Sequence, residues 1–432
     1  MEDAVNTQPA PSRTRSRPAR PFFISSLIAG FLVQHAGYAH YQAVGTSPAP
    51  VTEPAARTDT PPTLQPALSP TLTPNPKPYR YDLGDYGPVY VTGILSGFGQ
   101  VQSNRLGSDH RWRFDVDNGQ VFLNKPDGLV QFFVQLGYYA LPALGTPYLP
   151  AGDATPAFFT PVPQAYLKIA PMDNLSVMIG KLPTLVGAES TFTYQNMNIQ
   201  RGLLWNQENA VNRGVQVNYA QGPMTFSLSV NDGFYSGRPS WISGLASYAV
   251  DKSNTVTFVG AGNSRNDSEV SSTRTPLFQN HQQIYNLIYT RLEGPWTLQP
   301  YLQYSHVPGL PQFGTPESAS TFGAALLASY DFGADDVPTS WRLPGFKLAG
   351  RVEYIDSSSA GSNPGGAPNL LYGPGSAAWS LTLTPTYQYK NFFARGEVSW
   401  VSTHDAVPGA AFGSDGNKGT QVRGLVEVGM LF

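Results

Sequence analysis

From about residue 88 to the end, this chain is dominated by strand-length runs that alternate apolar and polar side chains. Successive side chains on a strand point to opposite faces, so a period of two means one apolar wall and one polar wall. In the run Trp379 to Tyr387, Trp379, Leu381, Leu383, Pro385 and Tyr387 alternate with Ser380, Thr382, Thr384 and Thr386. Met224 to Asn231 and Trp296 to Tyr304 repeat the pattern, and Phe346 to Tyr354 and Phe392 to Trp400 add an aromatic at each end of the apolar face. Aromatics eight residues apart on a strand are separated by roughly 25 Å, about the height of an outer-membrane apolar band. The chain closes on one more such run. Val422, Gly424, Val426, Val428, Met430 and Phe432 share one parity; Gln421, Arg423 and Glu427 share the other, with Leu425 and Leu431 as exceptions.

The connections sort by length. Lys125-Pro126-Asp127-Gly128, Ala220-Gln221-Gly222-Pro223 and Leu292-Glu293-Gly294-Pro295 are tight turns by residue type. Between them fall longer polar or Gly/Pro-rich stretches near 141–160, 184–210, 262–281, 308–319, 356–377 and 403–419. A soluble sandwich has no reason to separate short and long loops by rim. The pattern predicts an all-β fold: a transmembrane antiparallel up-and-down β-barrel of about 16 strands, with short periplasmic turns and long extracellular loops. The runs at 112–125 and 242–250 are the least regular. A barrel of this size leaves an aqueous lumen, which makes a pore the expected product. Composition agrees: only 13% of residues are charged, about half the usual quarter for soluble domains. A net charge of -2 gives no reason to expect nucleic acid as a partner, and the absence of Cys removes disulfides and thiolate chemistry.

Ahead of the barrel, Arg13, Arg15, Arg17 and Arg20 precede an apolar run from Phe22 to Val33 and then Gly37-Tyr38-Ala39. Basic region, short apolar run and small residues describe a secretory signal peptide over 1–39. Dense proline between Ser47 and Pro78 cannot build a core, so 40–80 is expected to be a disordered periplasmic linker. The barrel domain then occupies 81–432.

Charges on the polar parity mark candidate functional residues. Arg351 and Glu353, Arg395 and Glu397, and Arg423 and Glu427 each lie opposite their strand's apolar face, so they are expected to line the pore. Counting back from the last loop sets Glu397 level with Arg423. Such a mixed-sign ladder either biases solute passage or stiffens a wet wall through cross-strand pairs. The stretch Thr184 to Ala210 carries Glu189, Tyr194, Arg201 and Glu208 together with the apolar Met197 to Trp205 segment. It is expected to fold into the lumen as a constriction, the alternative being an extracellular lid or a subunit contact.

Ile179-Gly180-Lys181-Leu182-Pro183, Gly187-Ala188-Glu189, Asn196 to Leu204, Arg213-Gly214-Val215 and Asn231-Asp232-Gly233 together resemble the OmpL-like, porin-2 type family of outer-membrane β-barrel porins. The resemblance implies a water-filled channel for passive diffusion of small hydrophilic solutes or ions across the outer membrane of a Gram-negative bacterium. It brings no catalytic residues and no cofactors. The implied partners are outer-membrane lipid, small hydrophilic solutes and the barrel-assembly machinery, with Phe432 as an assembly signal. A homotrimer would need a lipid-facing sector of small residues, for which Gly323, Ala324, Ala325, Ala328, Ala394 and Gly396 are candidates. Two other readings compete. One is a barrel acting structurally or adhesively through its surface loops. The other is a barrel-embedded hydrolase, which needs one of His110, His281, His306 or His404 beside a nucleophile. No metal-ligand spacing and no dinucleotide or phosphate-loop fingerprint occurs.

Overall fold

The computed structural model describes residues 69–265, 276–358 and 364–432, so the expected signal peptide and residues 40–68 of the linker lie outside the described residues. A short strand, β1 (Tyr79–Asp82), precedes the barrel strands. These are β2 (Pro88–Gln102), β3 (Trp112–Lys125), β4 (Val130–Tyr139), β5 (Gln164–Met172), β6 (Leu175–Pro183), β7 (Val211–Gln221), β8 (Met224–Asn231) and β9 (Trp241–Ala249). They continue as β10 (Asn254–Asn263), β11 (Gln283–Glu293), β12 (Trp296–Val307), β13 (Ala319–Asp331), β14 (Phe346–Ser357), β15 (Ala377–Tyr389), β16 (Phe392–His404) and β17 (Thr420–Leu431). Each pairs antiparallel with the next, and β17 returns to β2 with Glu427 opposite Phe98 and Leu431 opposite Ile94. The ring leaves no open edge, which is the condition for strands to cross hydrocarbon. The sixteen strands β2–β17 of the ring agree with the expected count of about 16.

The least regular run has a local cause. In β3, Asn118 faces Ser96 but Val116 faces Gly97, so Asp117 is an inserted bulge residue. A bulge shifts parity by one. Phe114 and Val116 point outward before it and Val121 after it, while Asp117 and Asn118 are both buried inside. In β9 the outward face carries Gly244 and Ala246, and the inward face carries the buried Trp241 and Leu245, which blurs the alternation.

Outward residues such as Leu381, Leu383, Val426 and Val428 are exposed on the lipid face. Aromatics gather at both rims. Trp296, Tyr330, Phe332 and Phe346 form a chain of ring contacts at the short-turn rim, and Tyr354 packs on Trp379 at 4.8 Å near the other. Of the small residues considered for a lipid-facing sector, Gly323 and Ala325 turn inward: a Cβ on Gly323 would lie 2.8 Å from Leu204, and Ala325 is buried. Ala324 and Ala328 take the opposite parity, as do Ala394 and Gly396 on β16.

The closing seam is built at the chain end. Phe432 donates to the Gly93 carbonyl at 3.0 Å and accepts from the Gly93 N–H at 2.8 Å. Its ring lies over Gly93, where a Cβ would meet ring carbon at 2.3 Å. Strand β1 takes up the same edge of β2 directly below, with Tyr79 opposite Val91 and Asp82 opposite Pro88. The sequence pattern did not announce β1; it falls across the expected linker boundary at residue 80. Gly93→Val should displace the Phe432 ring and lower the temperature at which the folded barrel loses its compact mobility on a semi-native gel. Unchanged heat modifiability would mean that the ring relocates without cost.

Candidate functional site

The lumen is not an empty cylinder. Among the described residues several connections turn into it, and two long ones meet the charged wall. The one between β4 and β5 carries α1 (Ala151–Ala157), and Tyr139, Ala140, Ala143 and Leu144 near its start are buried. The other, 184–210, is buried along nearly its whole length. The two meet at Arg201, whose N–H donates to the Pro142 carbonyl at 3.1 Å and whose carbonyl accepts from Leu144 N–H at 2.9 Å.

Toward the short-turn rim the inner wall is apolar, against the simple expectation of a polar lumen. Ile94, Phe122, Phe133, Phe393 and Leu431 point inward and pack with Phe192 and Tyr194 of the loop. Phe192 and Tyr194 stack at 5.8 Å, and Phe122 sits 5.7 Å from the Tyr194 ring. Leu425 likewise packs with Ile199 and Tyr148. The two leucines that broke the alternation of the last strand face loops rather than water.

Above this floor, five of the six wall charges turn their polar ends onto loop backbone, and Glu427 pairs within the wall. Glu353 accepts the N–H groups of Leu203 at 3.0 Å and Leu204 at 3.3 Å, with Ser380 Oγ donating to it at 2.5 Å. Glu397 accepts those of Ile199 at 2.5 Å and Gln200 at 3.1 Å, and the Thr384 hydroxyl at 2.8 Å. Arg351 donates to the Gln200 carbonyl at 2.8 Å, and Arg395 to the Asn196 carbonyl at 3.1 Å. Arg423 reaches the other loop, donating to Ala143 at 2.9 Å and Thr146 at 2.5 Å. Glu427 pairs with Arg395, whose Nε lies 2.9 Å away. Each guanidinium thus meets carbonyls and two of the carboxylates meet amides, an arrangement of strong charge-assisted bonds. The expected level pairing of Glu397 with Arg423 is wrong by two residues: Glu397 faces Leu425, and Ser399 faces Arg423. Counting from the loop missed the register because the last loop is irregular. All six are at most 3% exposed, so water does not reach this sector of the wall.

The four loop residues singled out in the sequence are buried with them. Glu189 pairs with Arg351 at 2.5 Å and accepts the Gly202 N–H at 2.7 Å. Burial pushes its carboxyl up to about 7, against the pull of Arg351 and with the repulsion of Glu353 adding to the rise. Tyr194 belongs to the apolar floor. Arg201 lies over the Trp205 ring at 4.9 Å, and burial lowers its guanidinium to about 10. The Glu208 carboxylate rests on Gly187, where a Cβ would lie 1.8 Å from it and where φ is +86°. Gly202 serves a similar need, since a Cβ there would stand 2.0 Å from Glu353 and 2.7 Å from Glu189. Asn196 locks the first half of the loop, accepting Ser190 N–H at 2.6 Å and donating to the Ser190 and Phe192 carbonyls.

Sequence reasoning missed the inward fold of the β4–β5 connection; its apolar Tyr139, Ala140 and Leu141 beside Ala143 and Leu144 were the available signal. It also passed over Lys168. This residue shares the inward parity of β5 with Gln164 and Tyr166 and is only half-buried, as are inward Asn218 on β7 and Ser247 on β9. Of the histidines, His306 Nδ1 lies 2.8 Å from Ser320 Oγ on the outward parity of β12 and β13. Among the described residues no carboxylate stands within ion-pairing distance of that ring.

The profile of the family described as "Putative beta-barrel porin-2, OmpL-like" matches residues 88–432. Among solved structures, the anion-selective porin from Comamonas acidovorans is similar at a TM-score of 0.50 and 13% identity, over 80% of this chain and 99% of that one. The trimer form of OmpT, an outer membrane protein of Vibrio cholerae, is similar at a TM-score of 0.50 and 10% identity, again over 80% and 99%. Identities this low speak for the fold alone. No curated protein matches the chain.

Removing one member of a buried charge network costs about 3–5 kcal/mol, because the groups left behind stay unpaired. Glu353→Ala or Glu397→Ala should therefore release the 184–210 loop and make the Arg201–Gly202 bond sensitive to trypsin in the folded barrel. Equal protection in wild type and variants would show that these carboxylates do not hold the loop.

Proposed function

The chain belongs to this OmpL-like β-barrel porin-2 family, and on that premise we propose how an outer-membrane channel for small hydrophilic solutes or ions is built from these residues. The lipid-facing band, the aromatic rims and the closed ring suit the outer membrane of a Gram-negative bacterium. The observation that carries the reading is the fixed inward loop. Glu189, Tyr194, Arg201 and Glu208 sit on a segment clamped to the β14–β17 wall and form the constriction. Arg351, Glu353, Arg395, Glu397, Arg423 and Glu427 act as its clamp rather than as a field along the solute path. Solutes then pass on the opposite side of the lumen, past half-exposed Lys168, Asn218 and Ser247. A channel rather than a hydrolase is supported by the place of His306 and Ser320, which meet on the outward parity, away from the lumen. Phe432 serves assembly by completing the seam with Gly93, where the barrel-assembly machinery would act. The outward small residues Gly244, Ala246 and Gly260 suit contact with a second copy in a homotrimer.

Planar-bilayer conductance on refolded protein tests the channel directly. Lys168→Glu should move the reversal potential toward cation preference. Replacing Arg351, Arg395 and Arg423 together by Gln should instead raise conductance by freeing the loops, with a smaller change of preference. The opposite ranking would return the ladder to the solute path.

Protonation of Glu189 provides a further test. Its carboxyl titrates at about 7 in the inserted loop and ordinarily at 4.5. Between those values the inserted state holds more protons than a withdrawn one, so insertion strengthens as pH falls through 7 toward 4.5. Conductance should decline over that window, and Glu189→Gln should flatten the decline. A rise on acidification would contradict this sign.

A further inference from the structure

The end of the proline-rich stretch does not hang free below the barrel. Ser69, Thr71 and Leu72 are buried. The Ser69 N–H donates to the Tyr194 carbonyl of the inserted loop at 3.2 Å. A tight turn follows, in which Leu72 N–H donates to the Ser69 carbonyl at 3.0 Å and the Ser69 and Thr71 hydroxyls stand 2.7 Å apart. Leu72 packs into the apolar floor with Ile94, Phe122, Phe393 and Leu431. All four wall residues point inward near the short-turn rim, so this turn occupies the periplasmic mouth of the lumen, directly beneath the loop.

From there the chain climbs out over the rim. Thr73 N–H donates to Gln388 Oε1 at 2.8 Å, and Gln388 Nε2 returns a bond to the Thr73 carbonyl at 2.8 Å. Lys347 Nζ donates to the Pro70 carbonyl at 3.0 Å. The strand β1 then fastens the segment to the outer edge of β2 under Phe432.

We propose that residues 69–78 are a displaceable plug for the periplasmic mouth, hinged on β1; this rests on the channel reading above. Three features favour displacement over permanent structure. Pro70, Pro74, Pro76 and Pro78 have no N–H to give the wall, so few hydrogen bonds hold the segment. The prolines also restrict the backbone when it is released, so docking and undocking involve little change of conformational entropy. The bonds from Gln388 and Lys347 lie at the rim and end on Thr73 and Pro70, which are exposed to water, whereas the clamp on 184–210 is sealed inside. Withdrawing Leu72 would uncover the apolar floor and open the mouth below Tyr194.

The chain has no native Cys, which permits a clean test. Thr73→Cys with Gln388→Cys, bridged by a reducible bifunctional maleimide in the refolded barrel, holds the plug docked. Single-channel current should be low and steady while the bridge is intact and should rise severalfold, with fluctuations, on reduction. Leu72→Asp without a bridge should give the high-current behaviour from the outset. Complete bridging that leaves the current identical before and after reduction would overturn the plug. So would failure to bridge in a folded barrel, because the docked position would then be unoccupied. Absence of current from every form, Leu72→Asp included, would overturn the channel reading itself.

Discussion

Backbone removed from water must find other partners, and in the middle of this barrel the wall provides them. Glu353 and Glu397 each accept successive amide groups from Ile199 to Leu204, while Arg351 donates to the Gln200 carbonyl and Arg395 to that of Asn196. A loop of this length left in an aqueous lumen would sample many conformations, and its apolar side chains would gain nothing by entering. The clamp reverses that balance. With the backbone satisfied, Phe192, Tyr194 and Leu204 can be buried against wall residues such as Phe122 and Gly323. The rest of the interior follows from that placement: the second loop docks on Arg201, and the Ser69 turn docks beneath Tyr194.

The same charges explain why a porin wall can look like a core. Six ionised groups facing water would make a transverse field; six ionised groups sealed under loops make a lock. Burying them is tolerable because they pair with one another and with peptide dipoles, so little charge is left uncompensated. Arg201 is the exception. Its guanidinium is fully buried, and its nitrogens have no hydrogen-bond partner among the described residues; its contact is the face of Trp205. A loop carrying such a group sits closer to the point of release than the clamp alone suggests, which suits a constriction better than a permanent seal.

Much of this was legible from residue order. Alternation in runs such as Trp379 to Tyr387 and the sorting of loops by length were enough to count the strands, because period two and membrane thickness act on each strand locally. The six charges could be assigned to the inner face by parity alone. Their partners could not. Arg395 meets Glu427 rather than Glu397 meeting Arg423, since register across a long irregular loop depends on how the loop is folded. The exceptions to alternation, Leu425 and Leu431, were visible as anomalies without an explanation until loop residues were found against them.

By itself, then, the order of residues determined the closed β-barrel, which parity faces lipid, and the family, for these are written in local repetition and short motifs. Only the tertiary structure decided what fills the barrel. Whether 184–210 enters the lumen, whether Arg423 faces a solute or a carbonyl, and whether Leu72 belongs to a free linker or to the mouth of the pore all turn on contacts between residues far apart in the chain. Such contacts arise from the exchange of water for partners inside one enclosed space, and no periodicity along the chain records that exchange.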